Sequence, residues 1–334
     1  MVGSFGVAIV GCGAIGLKRA QALGAGAHLV ACADVALERA EALARSFPGA
    51  VAYGDWRSVL DLSDVHVVIV ATTNQALSEV SQQAALAGKH VLVEKPAARY
   101  CDELKEIITA SKQSGVQVRV GFNHRYHPAF RKARSLFESG VLGEMMFVRA
   151  RYGHGGRVGY DREWRANPTL SGGGELIDQG VHLIDLARWF LGDFTTVMGS
   201  AHTYFWDMPV DDNAFMMLKT AQKKTAFLHV SCTEWKNLFS FEIYGRDAKL
   251  HIDGLGGSYG VERLAFYKML PQMGPPETTI WEYPMGDDSW RVEFAEFLED
   301  IQKGRSPAAN LADALAVLEI VEKIYLESNY DHCA

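Results

Sequence analysis

The sequence predicts an α/β domain with a parallel sheet, followed by an α+β domain with a large, mostly antiparallel sheet. Three observations carry this. Between residues 5 and 121, short apolar runs ("FGVAIV", "HLVACA", "VHVVIVA", "HVLVE", "VQVRVG") alternate with helix-like segments. Strands that are apolar throughout are covered on both faces, as in a parallel sheet with helical crossovers. After residue 142, apolar and polar residues alternate along longer runs ("EMMFVRARY", "DDNAFMMLKT", "KTAFLHVSC", "LFSFEIYG"), so one face of each strand is left for water or a partner. Finally, 334 residues exceed an ordinary single core and call for two domains. The expected division is 1–122 and 123–334, with the boundary near Gly121 to Arg125.

Within the second domain, "YGRDAKLHIDG" reads as a strand pair around a tight turn. Two helical stretches, "SWRVEFAEFLEDIQKG" and "LADALAVLEIVEKIYLES", close the chain. No internal repeat or low-complexity linker interrupts it.

Charge and cysteine usage exclude several function classes. The net charge is −7 and the pI about 5.9, without a basic run, so neither nucleic acid nor an acidic membrane surface is an expected partner. The five cysteines, Cys12, Cys32, Cys101, Cys232 and Cys333, are widely spaced and odd in number, which fits neither a disulfide framework nor a CxxC site. With no leader-like N-terminus and no run of 18 apolar residues, a cytoplasmic protein is expected.

The chemistry begins in "FGVAIVGCGAIGLKRAQAL", where Gly11, Gly13 and Gly16 follow a predicted strand and open a predicted helix. This GxGxxG spacing gives a tight turn, close approach of backbone to a pyrophosphate, and close packing of helix on strand. Ala14 and Ile15 lie in the same turn and share the expected cofactor contact. The second strand ends in Asp34, 18 residues beyond Gly16, where an acid binds the adenosine ribose hydroxyls. An acid there repels a 2′-phosphate, which favours NAD; Arg39, one turn on, leaves NADP as the alternative. Thr72 and Asn74, after a later strand, are further expected cofactor contacts. In "HVLVEKP", Glu94 and Lys95 stand at the carboxyl edge of the sheet, the edge on which open α/β folds bind ligands, and both are expected at the cofactor.

The glycine fingerprint, then EKP, then "GGGELIDQGVHLID" form an ordered set in which the chain resembles the Gfo/Idh/MocA oxidoreductases. The resemblance runs from Val7 through "VGFNHRYHPAF" and "LGE" to the last helix. It implies a Rossmann domain followed by a sheet domain whose open face makes oligomer contacts, with a homodimer or homotetramer expected. It also implies catalytic roles for Lys95, Asp178 and His182, and a cis Lys95–Pro96 peptide. One departure is visible: members often read ATPN followed by a histidine, whereas this chain has Ala71, Thr72, Thr73, Asn74 and then Leu77, which alters the nicotinamide-side loop.

The run "SGGGELIDQGVHLIDLARWF" admits two readings. Asp178, His182 and Asp185 could form the solvated stripe of an amphipathic helix. With a nicotinamide cofactor in prospect, Asp178 and His182 instead acquire a task, because side chains four residues apart lie on one helical face. Oxidising an alcohol needs a base for the hydroxyl proton, and an imidazole titrates near the working pH. In this reading His182 is the base, Asp178 orients its ring and stabilises the imidazolium, and Lys95 binds the substrate oxygen. Gly172, Gly173 and Gly174 would let backbone pass close to the substrate, while Asp185 would pair structurally. Arg125, and Trp164 with Arg165 in "YDREWRANP", are expected substrate contacts beside Lys95, Asp178 and His182. His124 and His127 have HxxH spacing but no further ligands at useful distance, so no metal is expected, and they are assigned to the surface or the edge of the core. The aromatic run "TYFWDMP" and Trp235 are read as contacts with a partner subunit.

The expected function is an NAD-dependent oxidoreductase acting on a secondary hydroxyl of a sugar, nucleotide sugar or cyclitol. The alternatives are an NAD-dependent glycosidase with transient redox chemistry, and a non-catalytic ligand-sensing regulator on the same scaffold.

Overall fold

The computed structural model describes residues 4–330; Cys333 lies outside them. The chain forms two compact units, Met1–Phe122 with Trp290–Leu318, and Asn123–Ser289 with Glu319–Ala334. Residues 290–318, expected with the second domain, therefore pack in the first unit. Their sequence shows only an amphipathic period, which says that one face is buried but not against which domain.

In the first unit six parallel strands form one sheet, in the order β3-β2-β1-β4-β5-β6. They are β1 (Phe5–Val10), β2 (Ala27–Ala33), β3 (Val51–Tyr53), β4 (Val67–Val70), β5 (His90–Glu94) and β6 (Val118–Gly121). The sequence left out β3, which is three residues long and lacks an apolar run. Helices Ala14–Gln21, Leu37–Arg45, Asn74–Leu86 and Cys101–Ser114 alternate with the strands. Every residue of β4 is buried, as a strand covered on both faces requires. Phe294, Phe297 and Leu298 join Ile9, Ile69 and Leu92 in one core cluster, which is what draws residues 290–318 into this unit. At its centre Arg19 is fully buried between two carboxylates, with Nε 2.6 Å from Glu94 and a terminal nitrogen 2.5 Å from Glu293. The strand order reverses between β1 and β4, the topological position at which open α/β sheets take their ligands.

The second unit is built on an eight-stranded sheet in the order β14-β13-β12-β11-β7-β10-β9-β8. Its strands are β7 (Met145–Gly153), β8 (Phe194–His202), β9 (Asn213–Thr220), β10 (Thr225–Ser231), β11 (Leu238–Gly245), β12 (Ala248–Asp253), β13 (Glu262–Lys268) and β14 (Glu277–Tyr283). All neighbours are antiparallel except β7 and β10. The strand pair read from "YGRDAKLHIDG" is β11 and β12, turning at Arg246 and Asp247. Val148, Ala150 and Tyr152 of β7 are buried, while the intervening Phe147, Arg149 and Arg151 face outward. Helices Pro128–Glu138 and Val181–Leu191 cover the buried face, where Phe130 meets Phe239 and Phe241 edge-on. On the other face, Met198, Met217 and Phe227 stand side by side in register and remain exposed.

Two adjacent carboxylates organise the loops above this sheet. Asp211 accepts hydrogen bonds from the Gly174 amide (2.8 Å), the Leu176 amide (2.7 Å) and the Tyr325 hydroxyl (2.7 Å). Asp212 accepts from the amides of Tyr204 (2.9 Å), Phe205 (2.7 Å) and Trp206 (3.0 Å). A Cβ on Gly174 would lie 1.9 Å from the Asp211 carbonyl oxygen, so this glycine is required by the protein's own backbone and not by a substrate.

Burial lifts the Asp211 carboxyl to about 6, despite the donors that favour its charged form. Because the folded value lies above the ordinary carboxylate value of about 4, the stabilising contribution is full below that value and is lost as pH rises through about 6. The stability advantage of wild type over Asp211→Asn in urea denaturation should therefore shrink between pH 4 and pH 7. An advantage that grows over that interval would contradict this ionisation.

Candidate active site

In the first unit, β1 delivers the chain into the glycine turn. Gly11 takes φ +93°, and its amide donates to the Ala33 carbonyl at 2.8 Å. A Cβ at Gly16 would stand 2.0 Å from the Gly11 carbonyl oxygen, so the helix lies against the turn as closely as its backbone permits. A Cβ at Gly13 would meet nothing within 4 Å, which leaves open space where a pyrophosphate would come. Helix Ala14–Gln21 has no side-chain cap and no acid in its first turn, so the amides at Ala14 and Ile15 form an uncapped, electropositive N-terminus.

Asp34 closes the other side of this turn. Its Oδ2 accepts from the Cys12 amide at 2.8 Å and its Oδ1 from the Ala36 amide at 2.9 Å. Two oxygens with one donor each retain lone pairs for further hydroxyl donors. Asp34 is half-buried and Arg39 exposed. Thr72 is half-buried, its hydroxyl donating to the Thr73 carbonyl, and Asn74 is buried at the start of Asn74–Leu86. The open Gly13, the uncapped helix and the fixed acid together fit a dinucleotide. Glu94 is placed differently from expectation, since its buried carboxylate is held by Arg19. Lys95 follows as a half-buried side chain, and the Lys95–Pro96 peptide is cis.

In the second unit, the run that begins at the three glycines enters a π-helical turn, Leu176–Gly180, and continues as the α-helix Val181–Leu191. The wider turn carries an additional residue and shifts Asp178 around the axis relative to an uninterrupted α-helix, a distortion frequent at functional sites. Asp178 accepts from Arg165 Nε at 2.9 Å, and Arg165 in turn lies over the Trp164 ring at 4.6 Å. The loop residues expected at the substrate are thus brought to the expected catalytic acid. Asp178 raises the pKa of Arg165 further above its ordinary value.

His182 is 4% exposed and Asp185 1%, so the solvated stripe is not what forms. His182 stacks face to face on His124, with centroids 3.7 Å apart and planes at 22°. Tyr152 meets both rings at larger angles. Asp185 receives the Arg125 guanidinium as a fork, with contacts of 2.8 and 2.5 Å. Arg125, expected at the substrate, is thereby placed in a buried ion pair, because a carboxylate this deep requires a bidentate cation. His124 and His127, expected near the surface, are buried. His127 bonds Glu262 at 2.9 Å, and His124 forms the floor under His182. Among the described residues no group of three potential ligands could hold a metal.

Sequence reasoning put His124 at the surface or core edge and passed over Tyr152, the half-buried His154 and the buried Glu175, which gather with Tyr160 of the "YDREWRANP" loop. The Tyr160 hydroxyl lies 3.5 Å from Glu175, and His154 Nε2 lies 3.6 Å from the other oxygen of that carboxylate. Burial lowers the His154 pKa and so favours the neutral ring. The segment "FNHRY" carried the only signal for His124, and nothing in its spacing distinguishes a stacked ring from a metal ligand or a surface residue.

Comparison with known proteins identifies the family. Residues 5–122 match the oxidoreductase family model with an NAD-binding Rossmann fold, and residues 130–251 match the GFO/IDH/MocA C-terminal domain. Levoglucosan dehydrogenase of Pseudarthrobacter phenanthrenivorans is 34% identical over 181 residues, which span 54% of this chain and 46% of that protein. The scyllo-inositol 2-dehydrogenase (NAD(+)) of Bacillus subtilis is 27% identical over 327 residues, covering 94% and 91% of the two chains. A solved structure of levoglucosan dehydrogenase in complex with NADH and levoglucosan aligns with a TM-score of 0.87 at 26% identity, over 98% of each chain. The two family matches, one in each unit, show that the chain belongs to the GFO/IDH/MocA oxidoreductases and carries their NAD-binding Rossmann domain.

Proposed function

We propose that the protein is an NAD-dependent dehydrogenase acting on a secondary hydroxyl of a sugar, nucleotide sugar or cyclitol. The observation that carries this reading is the buried His182 ring, stacked on His124 and one turn from an Asp178 carboxylate fixed by Arg165. When bound, the nicotinamide supplies a hydride acceptor. The protein's part is to take the hydroxyl proton and hold the oxygen. His182 accepts the proton, the His124 stack fixes the plane of its ring, and Asp178 favours the imidazolium. Lys95 binds the reacting oxygen and favours alkoxide character. Arg125 serves as a positioning residue through Asp185, on the same helix as His182. The named activities of the levoglucosan and scyllo-inositol dehydrogenases support a polyol or sugar hydroxyl as the reacting group.

Screening sugars, inositols and nucleotide sugars for NAD reduction tests the reading, because a glycosidase with transient redox would turn over without accumulating NADH. With a reactive substrate, His182→Ala should lower kcat by roughly 10²- to 10⁴-fold with NAD affinity unchanged. Lys95→Ala should also lower kcat, and the double variant should lose less than the two losses combined as free energies, since both act on one oxygen. Near-normal turnover in His182→Ala would overturn the assignment.

The cofactor preference follows from Asp34, which would sit against a 2′-phosphate. Calorimetry should find NAD bound more tightly than NADP, and Asp34→Ser should narrow the gap; tighter NADP binding by wild type would contradict this role. The exposed row of Met198, Met217 and Phe227 supports a homodimer or homotetramer held through the open face of the sheet. Sedimentation at micromolar concentration should show more than a 36.8 kDa monomer, and a monomer alone would remove the claim.

A further inference from the structure

We propose that the second unit carries a separate subsite for the far ring of a glycoside, so that the substrate is a two-ring molecule, a disaccharide or an aryl glycoside. The inference rests on the dehydrogenase reading above and narrows its substrate class. The subsite is an open depression of about 510 Å³ whose lining includes Arg157, Arg162, Phe205, Trp206 and Trp235. That volume lies within the range of small-molecule sites, roughly 300–1,000 Å³.

Its wall is aromatic and unusually bare. Trp235 is 75% exposed and Phe205 53%, and they meet edge to face at 5.0 Å. Trp206 is fixed beside them, its indole N–H donating to the Cys232 carbonyl at 3.0 Å. Trp235 also holds φ +61°, a left-handed conformation that a large side chain seldom adopts and that tends to mark functional positions. Beside the rings, Arg157 is paired with Glu163, whereas the exposed Arg162 makes no ion pair among the described residues. Aromatic faces that cover C–H faces, bordered by guanidinium donors for hydroxyls, are the chemistry that recognises a sugar ring. The flat apolar row of Met198, Met217 and Phe227 suits a second copy of the chain; this concave, arginine-bordered wall does not resemble it.

Two connections tie the depression to the proposed reaction. The loop that supplies Arg157 and Arg162 continues to Arg165, which holds Asp178. Asp212 fixes the amides of Phe205 and Trp206, while the adjacent Asp211 fixes Gly174 and Leu176 just before Asp178. The aromatic wall and the catalytic turn are therefore anchored at consecutive residues.

Calorimetry on the full-length protein, which needs no turnover, would compare cellobiose, maltose and phenyl β-D-glucoside with D-glucose and myo-inositol. At least one two-ring ligand should bind about tenfold more tightly than D-glucose, as expected for ring contact with an aromatic face. Trp235→Ala and Phe205→Ala, both at exposed positions, should each reduce that advantage and leave NAD affinity unchanged. The proposal is overturned if no two-ring ligand exceeds D-glucose, if neither variant alters the preference, or if the variants change only the sedimentation behaviour. Two-ring binding without any NAD reduction would sink the dehydrogenase reading alone; monosaccharide oxidation without two-ring preference would sink the subsite alone.

Discussion

A carboxylate taken out of water must be met by donors, and Asp211 draws its donors from the segment that leads into Asp178 and His182. Two amides and a tyrosine hydroxyl converge on it. This fixes where the glycine segment stops being a loop and becomes a turn. Because the Asp211 backbone fills the space where the Gly174 side chain would be, the contact tolerates only glycine at that position. The π turn that follows sets the direction of Asp178. The alternative of three glycines kept open for a substrate is not needed to explain Gly174.

From that anchor the second unit assembles its polar interior in pairs. Asp185 takes the fork of Arg125, Asp178 takes Arg165, and Glu262 takes His127. Burying Asp185 or Glu262 alone would cost several kcal/mol, so Arg125 and His127 are conditions of the fold, whereas Asp178 is only half-buried. His182 and His124 also stack on one another, and His124 Nδ1 bonds Asn123 Oδ1 at 3.2 Å. The stack fixes the plane of the His182 ring. That combination of a fixed ring with a nearby acid is what a proton acceptor requires.

Much of this was legible in the sequence, for definite reasons. The parallel sheet announced itself because β1 and β4 are apolar throughout and β2, β5 and β6 are largely so, and the glycine turn because its spacing is imposed by backbone contact. Asp178 and His182 were singled out by their spacing and by the order of motifs along the chain, and their catalytic roles are what the proposed function puts forward. Other features depend on contacts distant in sequence. Arg125 meets Asp185 across 60 positions, and Arg19 meets Glu293 across 274. A charged residue in a single sequence looks the same whether it faces a ligand or a buried counter-ion, which is why Arg125 and Glu94 were expected at ligands. Strands β8 and β14, the two edges of the sheet, escaped notice because they bury little and so lack a marked alternation, and β13 beside β14 was not read either. The return of residues 290–318 to the first unit had no local signal.

The central claim is that the buried His182 imidazole is the proton acceptor, and not only a packing partner of His124. The pH dependence of kcat/KM, measured with a reactive substrate in wild type and in His182→Ala, tests it most directly, since that profile reports ionisations of the free enzyme. The account predicts a rising limb in wild type that is missing from the variant's residual activity. The same rising limb in both proteins, with the same midpoint, would contradict it.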